Sequence, residues 1–387
     1  MPAPAIAPEE YAARALRAYT AMQARFRKRD GMYRRDGLFH LPGTAAHVWP
    51  LARAMVGTLD LAGLDPALTG GFDAEAEIAD RLEALERYYE PDGEYPAYAS
   101  DPVGTRFGGD RYYDDNAWVG LALIELERLR PGAGRLDRAG ELWRFAVGGW
   151  DTRTDVPSPG GVFWVEQGHG VGAKNHDRNT VSNAPNAELG LHLAELLGAG
   201  FRLPGPIAPE DMYSWVLGTL DESRETEAPG TGLFWDKIRA DNTIDRLRWT
   251  YNQGSMVGLN VLLARRGGAG TGTGAGTGTG DYLARAEAIA RKALGHYDAA
   301  ELERQPPSFH AIFFRNLLLL HAATSDEGLR EEIIASMRRY TDWAWNERRD
   351  ARDRFSISDQ DGLLDQSAMV QLLALLAWDP RDYGRLA

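Results

Sequence analysis

The stretch Leu363-Leu364-Asp365-Gln366-Ser367-Ala368-Met369-Val370-Gln371-Leu372-Leu373-Ala374-Leu375-Leu376-Ala377-Trp378 has almost no polar face. It is too long for an ordinary strand, and a helix that is apolar nearly all round must be covered on every side. Ala311–Leu320 has the same character, as do segments near 44–59, 112–129, 180–197 and 249–265. Between them lie helices of a second kind, apolar on one face only. Leu16, Tyr19, Met22 and Phe26 follow helical spacing, and so do Ile78, Leu82, Leu85 and Tyr89; similar segments fall near 134–147, 207–221, 281–297 and 327–345. Strand-type alternation is scarce. The two kinds of helix alternate six times along the chain.

The covered helices begin near 44, 112, 180, 249, 308 and 363, so the first four are 68, 68 and 69 residues apart. This is a slow internal repeat. Asn116, Asn183 and Asn252 keep step with it, and Gly161-Val162-Phe163-Trp164 returns 71 residues later as Gly232-Leu233-Phe234-Trp235. Six inner helices ringed by six outer ones make an all-α (α/α)6 barrel, and that architecture takes residues 1–387 as a single catalytic domain. An open helical solenoid is the alternative, but it would rarely stop at six pairs with a covered last helix. Gly267–Gly280 is nearly all Gly and Thr, cannot bury surface, and is expected as a flexible loop within the barrel.

Composition narrows the function. The net charge of −13 is scattered, with no Lys/Arg stripe to reward a phosphate backbone, so no nucleic acid is expected as a partner. With no cysteine, disulfides, thiolate metal sites and cysteine nucleophiles are excluded. The eight histidines show no ligand-type spacing, and Ser358-Asp359-Gln360-Asp361-Gly362 is too short for a calcium loop and lacks its closing Glu, so no metal is expected. No run approaches the ~18 apolar residues of a membrane span. Met1–Glu10 does not read as a signal peptide; a cytoplasmic location is expected, or a secreted one if a leader has been removed.

Chemistry concentrates where the inner helices begin. Arg111-Tyr112-Tyr113-Asp114-Asp115-Asn116-Ala117-Trp118 opens one of them. An N-cap needs a single carboxylate; two adjacent ones repel unless something uses both. Glycoside hydrolysis does, with one carboxyl protonating the leaving oxygen and the other attacking carbon or activating water. Neighbouring residues on a helix place their carboxyls about 5 Å apart, the retaining spacing, with little room for the water of an inverting enzyme. The helix N-terminus favours an ionised nucleophile, while burial and a charged neighbour raise the acid. Trp164, Trp235, Trp249 and Tyr251 are candidate sugar-stacking faces. Asn183, Asn252 and Gln253 are candidate hydroxyl partners that could equally cap inner helices, and Asp236 could bind a hydroxyl pair or cap a turn. Lys174-Asn175 and Arg315 are weaker polar candidates.

Tyr113-Asp114-Asp115-Asn116-Ala117-Trp118 resembles the signature of glycoside hydrolase family 76. Lys174-Asn175 with Ser182-Asn183-Ala184-Pro185, Thr250-Tyr251-Asn252-Gln253-Gly254 and Phe309-His310-Ala311-Ile312-Phe313 resemble further family segments in the family's order, so the resemblance spans most of the chain. It implies an (α/α)6 barrel and hydrolysis of α-1,6-mannosidic linkages in mannan or mannooligosaccharides with retention, through a covalent intermediate. Asp114 would be the nucleophile and Asp115 the general acid/base. Tyr113, Asn116, Trp164, Asn183, Trp235, Asp236, Tyr251, Asn252 and Gln253 would line the sugar site. No cofactor and no protein partner is implied. Family members commonly act outside the cell, whereas this chain shows no export signal. Three other readings use the same barrel: a sugar epimerase or isomerase with His47, His176 or His310 as acid and base, a transglycosylase, and a non-catalytic glycan-binding protein.

Overall fold

The computed structural model describes residues 6–35, 44–105, 109–172, 175–198, 200–225, 230–267, 279–358 and 362–387. In chain order the helices are α1 (Pro8–Phe26), α2 (Val48–Ala62), the short α3 (Pro66–Thr69), α4 (Ala74–Glu86), α5 (Tyr113–Leu129), α6 (Leu136–Gly148), α7 (Thr180–Leu197) and α8 (Pro209–Thr219). They continue with α9 (Thr250–Gly267), α10 (Thr279–His296), the short α11 (Ala299–Arg304), α12 (Pro307–Ala323), α13 (Glu327–Glu347) and α14 (Gly362–Ala377).

Helices α2, α5, α7, α9, α12 and α14 each pack on the next, and α14 returns to α2, closing a ring. Around it, α4 lies on α2, α6 bridges α5 and α7, α8 lies on α7, α10 on α9, α13 against α12 and α14, and α1 against α14 and α2. This is the (α/α)6 barrel. The two hydrophobic patterns explain the two rings. Leu363–Ala377 of α14 and Thr250–Leu263 of α9 are buried without interruption, whereas α1 buries Tyr11, Ala15, Ala18, Met22 and Phe26 and leaves its other face wet. Among the described residues no helix is long and apolar enough to cross a membrane.

Two boundaries differ from the periodic reading. The first inner helix begins at Val48 rather than near 44, because Arg34 pairs with Ala45 and the Arg35 N–H donates to the Thr44 carbonyl, holding that segment extended. Tyr89 leaves the helical pattern because α4 ends at Glu86; Tyr89 pairs instead with Tyr98 where β1 (Tyr89–Glu90) meets β2 (Ala97–Tyr98). Residues 268–278 of the Gly/Thr-rich stretch lie outside the described residues, as do Asp359–Asp361 and Lys174.

Loops at the N-terminal end of the inner ring are tied down by one repeated device. Asn116, Asn183 and Gln253 are each the fourth residue of their helix. Asn116 accepts the Tyr98 N–H at 2.8 Å and donates to the Tyr98 and Tyr112 carbonyls. Asn183 accepts the Val162 N–H at 2.8 Å and donates to the Asn179 carbonyl. Gln253 accepts the Phe234 N–H at 2.8 Å and donates to the Phe234 and Trp249 carbonyls. A side-chain amide carries both donors and an acceptor, so it satisfies a loop residue and the helix's first turn together. The clamped loops carry β3 (Arg178–Asn179), β4 (Lys237–Ile238) and β5 (Ile244–Asp245), an antiparallel sheet in the order β3-β4-β5. Deeper in the ring, Arg315 is buried and donates to Asp60 and Glu125, both at 2.5 Å, while Arg53 donates to Gln371.

Candidate active site

At the clamped end of the ring an open cavity of about 630 Å³ is lined by the first turns of the inner helices and the loops before them. Helix α5 brings Asp114 and Asp115 to its edge in the first turn, where both remain partly exposed. Asp114 is held twice: its Oδ1 accepts the backbone N–H of Asp115 at 3.0 Å, and its Oδ2 accepts the Trp164 indole N–H at 3.0 Å. Burial pushes the Asp114 carboxyl up to about 7, the Trp164 and backbone N–H bonds pull it down, and the negative charge of Asp236 pushes it up again. Asp115 is raised well above the usual carboxylate range, by burial first and by the charge of Asp114 second. The helix N-terminus alone would favour two anions; desolvation outweighs it. What distinguishes the neighbours is that Asp114 has donors aimed at its charged form, the arrangement that favours ionisation.

Tyr112 lies against Trp164 with ring centroids 4.8 Å apart, and its hydroxyl faces Asp110 Oδ2 at 3.4 Å. On the α9 side, Asp236 faces the Tyr251 hydroxyl at 3.4 Å and Asn252 Nδ2 at 3.5 Å. Burial lifts the Asp236 carboxyl to about 6, against the pull of Lys237. Tyr251 stands edge-on to Phe309, centroids 4.1 Å apart, and Trp49 and Phe309 continue the aromatic wall. On the α2 side, His47 and Asp101 line the cavity beside Arg35.

Of the residues expected at the site, Asp114, Asp115, Trp164, Asp236 and Tyr251 share this cavity. Six do not line it. Tyr113 stacks on Phe145, centroids 4.4 Å apart, and points into the α5–α6 packing. Asn116, Asn183 and Gln253 are consumed by the loop clamps described above. Trp235 is turned away between the guanidinium groups of Arg224 and Arg246, 4.7 and 5.0 Å from its ring. Asn252 is fully buried and supports Asp236 from behind. Trp249 packs on Phe309, Arg315 belongs to the buried ion network, and Asn175 accepts the Asp177 N–H within its loop. His310 is fully buried between Thr250 Oγ1 at 3.0 Å and the Leu302 carbonyl at 2.7 Å, and burial lowers its imidazole to about 4. His176 packs on Phe163. Tyr112, Trp49, Asp101, Asp110, Lys237 and Phe309 are cavity residues that periodicity and repeats do not single out.

No curated protein matches the chain at the sequence level. Among solved structures, a family 76 α-mannanase of Bacteroides thetaiotaomicron is similar with a TM-score of 0.76 at 14% identity, over 95% of this chain and 96% of that one. A family 76 mannosidase from the same organism gives 0.76 at 20% identity, over 95% and 98%. An inactive variant of the α-1,6-mannanase of a Salegentibacter species, with two consecutive aspartates changed to asparagine and α-1,6-mannotriose bound, gives 0.71 at 19% identity, over 95% and 99%. These likenesses establish the fold, and the family model described as glycosyl hydrolase family 76 matches residues 10–377. With nearly its whole length matched, the chain belongs to glycosyl hydrolase family 76.

Proposed function

We propose that the protein is a retaining glycosidase acting on α-1,6-linked mannosides. The observation that carries this reading is the asymmetry of two adjacent carboxyls: donors from Trp164 and the backbone converge on Asp114, while burial and a negative neighbour raise Asp115 well above the usual carboxylate range. Asp114, ionised, attacks the anomeric carbon; the glycosidic C–O bond breaks as Asp115 gives its proton to the leaving oxygen. Asp115, now a carboxylate, takes a proton from water as that water displaces Asp114 from the sugar. Neighbouring carboxyls are close enough for this double displacement, which needs roughly 5–5.5 Å. Asp236, Tyr251, Trp164 and Phe309 offer acceptors, a hydroxyl and apolar faces to a pyranose. The mannosidic α-1,6 linkage is supported by the named activities of the structural relatives. A histidine-based isomerase is disfavoured, since His310 is buried between Thr250 Oγ1 and the Leu302 carbonyl, His176 packs on Phe163, and among the described residues His47 is the single histidine lining the cavity, which leaves no histidine pair to act as acid and base.

Hydrolysis of α-1,6-mannooligosaccharides by the purified protein tests the reading. Asp114→Asn and Asp115→Asn should each cost at least the roughly 10²–10⁴-fold expected of a positioned acid, base or nucleophile. Azide should restore turnover of an aryl α-mannoside with α-mannosyl azide as product in an Asp115→Ala chain, where it displaces Asp114 from the sugar, and with β-mannosyl azide as product in an Asp114→Ala chain, where it replaces the missing nucleophile. A folded wild-type protein that leaves these substrates intact would overturn the linkage, and β-mannosyl azide from Asp115→Ala with α-mannosyl azide from Asp114→Ala would reverse the two roles.

A further inference from the structure

The two catalytic candidates face different walls of the cavity. Helix α5 sits in the ring between α7 and α2. Gly120 packs on Leu189 of α7, and the Tyr113 carbonyl accepts from Asn186 of α7, so those positions mark the α7 side of α5. Asp114 leans the same way, toward Trp164 and the charge of Asp236. Asp115 is rotated about 100° further round the helix, away from α7 and toward α2. The wall there is built from His47, the N-cap residue of α2, and Asp101. Arg35 donates to His47 Nδ1 at 2.7 Å and to Asp101 Oδ1 at 3.0 Å. The same Nδ1 also lies 3.3 Å from the Ser100 carbonyl and 3.2 Å from Asp101 Oδ1, so the wall engages Nδ1 in either tautomer, and among the described residues no group hydrogen-bonds Nε2.

We propose that His47 and Asp101, steadied by Arg35, form the leaving-group subsite and bind the departing sugar as an uncharged, hydroxyl-bearing ring. The proposal rests on the assignment of Asp115 as the acid, because the leaving oxygen lies where that proton is given. A hydroxyl both donates and accepts, so Nε2 in either tautomer can meet one sugar hydroxyl while the Asp101 carboxylate accepts from a neighbouring one. Charge fixes the class. Arg35 and Asp101 cancel, Lys237 is paired with Asp177, and the carboxylates of Asp110, Asp114 and Asp236 line the remainder of the cavity, so an anionic group would be repelled. Trp49, next to His47 and partly exposed to the cavity, supplies an apolar face.

The test compares an α-1,6-mannotriose with a 4-nitrophenyl α-mannoside, whose leaving group has no sugar hydroxyls. In His47→Ala and in Asp101→Asn, the ratio of kcat/KM for the trisaccharide to that for the aryl mannoside should fall about tenfold, the scale of one or two hydrogen bonds. A ratio unchanged in both variants overturns the subsite. Should the wild type hydrolyse neither substrate, the hydrolase reading fails separately, and calorimetric titration with α-1,6-mannotriose decides: weaker binding by His47→Ala upholds the subsite, equal binding or no binding overturns it.

Discussion

Replacing Trp164 by phenylalanine keeps an aromatic ring beside Tyr112 and removes the indole N–H that meets Asp114 Oδ2 at 3.0 Å. A hydrogen bond to a charged group contributes about 1.5–3 kcal/mol. It favours the carboxylate, and 1.36 kcal/mol corresponds to one pH unit, so its loss should raise Asp114 by about one to two pH units. Asp114 already stands at about 7, pushed there by burial. At pH 7 the ionised fraction would then fall from about one half to about one tenth or less, at least a roughly fivefold loss of the proposed nucleophile. A pH profile of kcat/KM on α-1,6-mannooligosaccharides measures this: the acidic limb should move to higher pH, and activity should recover as pH rises. An acidic limb that stays in place while activity falls at every pH would refute the role given to the indole N–H.

Three further outcomes follow from other parts of the barrel. Arg315→Met leaves the carboxylates of Asp60 and Glu125 without their shared partner and should cost about 3–5 kcal/mol in urea unfolding; adding Asp60→Asn and Glu125→Gln should return most of it, and failure to do so would mean packing, not charge, is what Arg315 supplies. Asn183→Ala removes the Val162 and Asn179 bonds and should lower stability by about 1–3 kcal/mol with KM little changed; a raised KM at unchanged thermal stability would return Asn183 to the cleft. His310, fully buried, has its folded value lowered by burial from 6.5 to about 4, so the native state binds fewer protons and stability drains as pH falls from about 6.5 toward 4, by up to about 3 kcal/mol. Asp60, raised by burial to about 7, has the opposite slope in that window, so the comparison must be against a variant: the stability gap between wild type and His310→Gln should narrow on going from pH 7 to 4.5, and a constant gap would contradict the burial of a neutral imidazole.

The barrel was legible because coverage leaves a mark on composition. Leu363–Trp378 and Ala311–Leu320 have no wet face, and only a ring within a ring covers helices on all sides. The catalytic candidates were legible because one cap needs one carboxylate and Asp114-Asp115 offers two. Rotation about the helix axis was what the repeat concealed. Asn116, Asn183 and Gln253 stand at the fourth position of their helices, whereas the cavity is lined by second and third positions: Trp49, Asp114, Asp115, Val181, Tyr251, Phe309 and Leu364. Two residues further along, a side chain has turned by about 200°, so a repeating polar residue marks the outward clamp and not the cleft. Trp235 and Asp236 were separated by the same kind of geometry, since neighbours in extended chain face opposite ways: Asp236 meets the cavity and Trp235 its two arginines. Asp101 and Asp110 belong to the loop held by Asn116, with neither period nor repeat to announce them; only the closed ring brings them to the same cavity as Asp236.

The retaining role proposed for Asp114 and Asp115 is tested most directly by following the first seconds of hydrolysis of an α-1,6-mannooligosaccharide by proton NMR, before mutarotation scrambles the product. The double displacement on Asp114 requires the newly freed anomeric hydroxyl to appear as the α anomer. Initial appearance of the β anomer would mean that water attacks directly, and Asp114 could not then be the nucleophile.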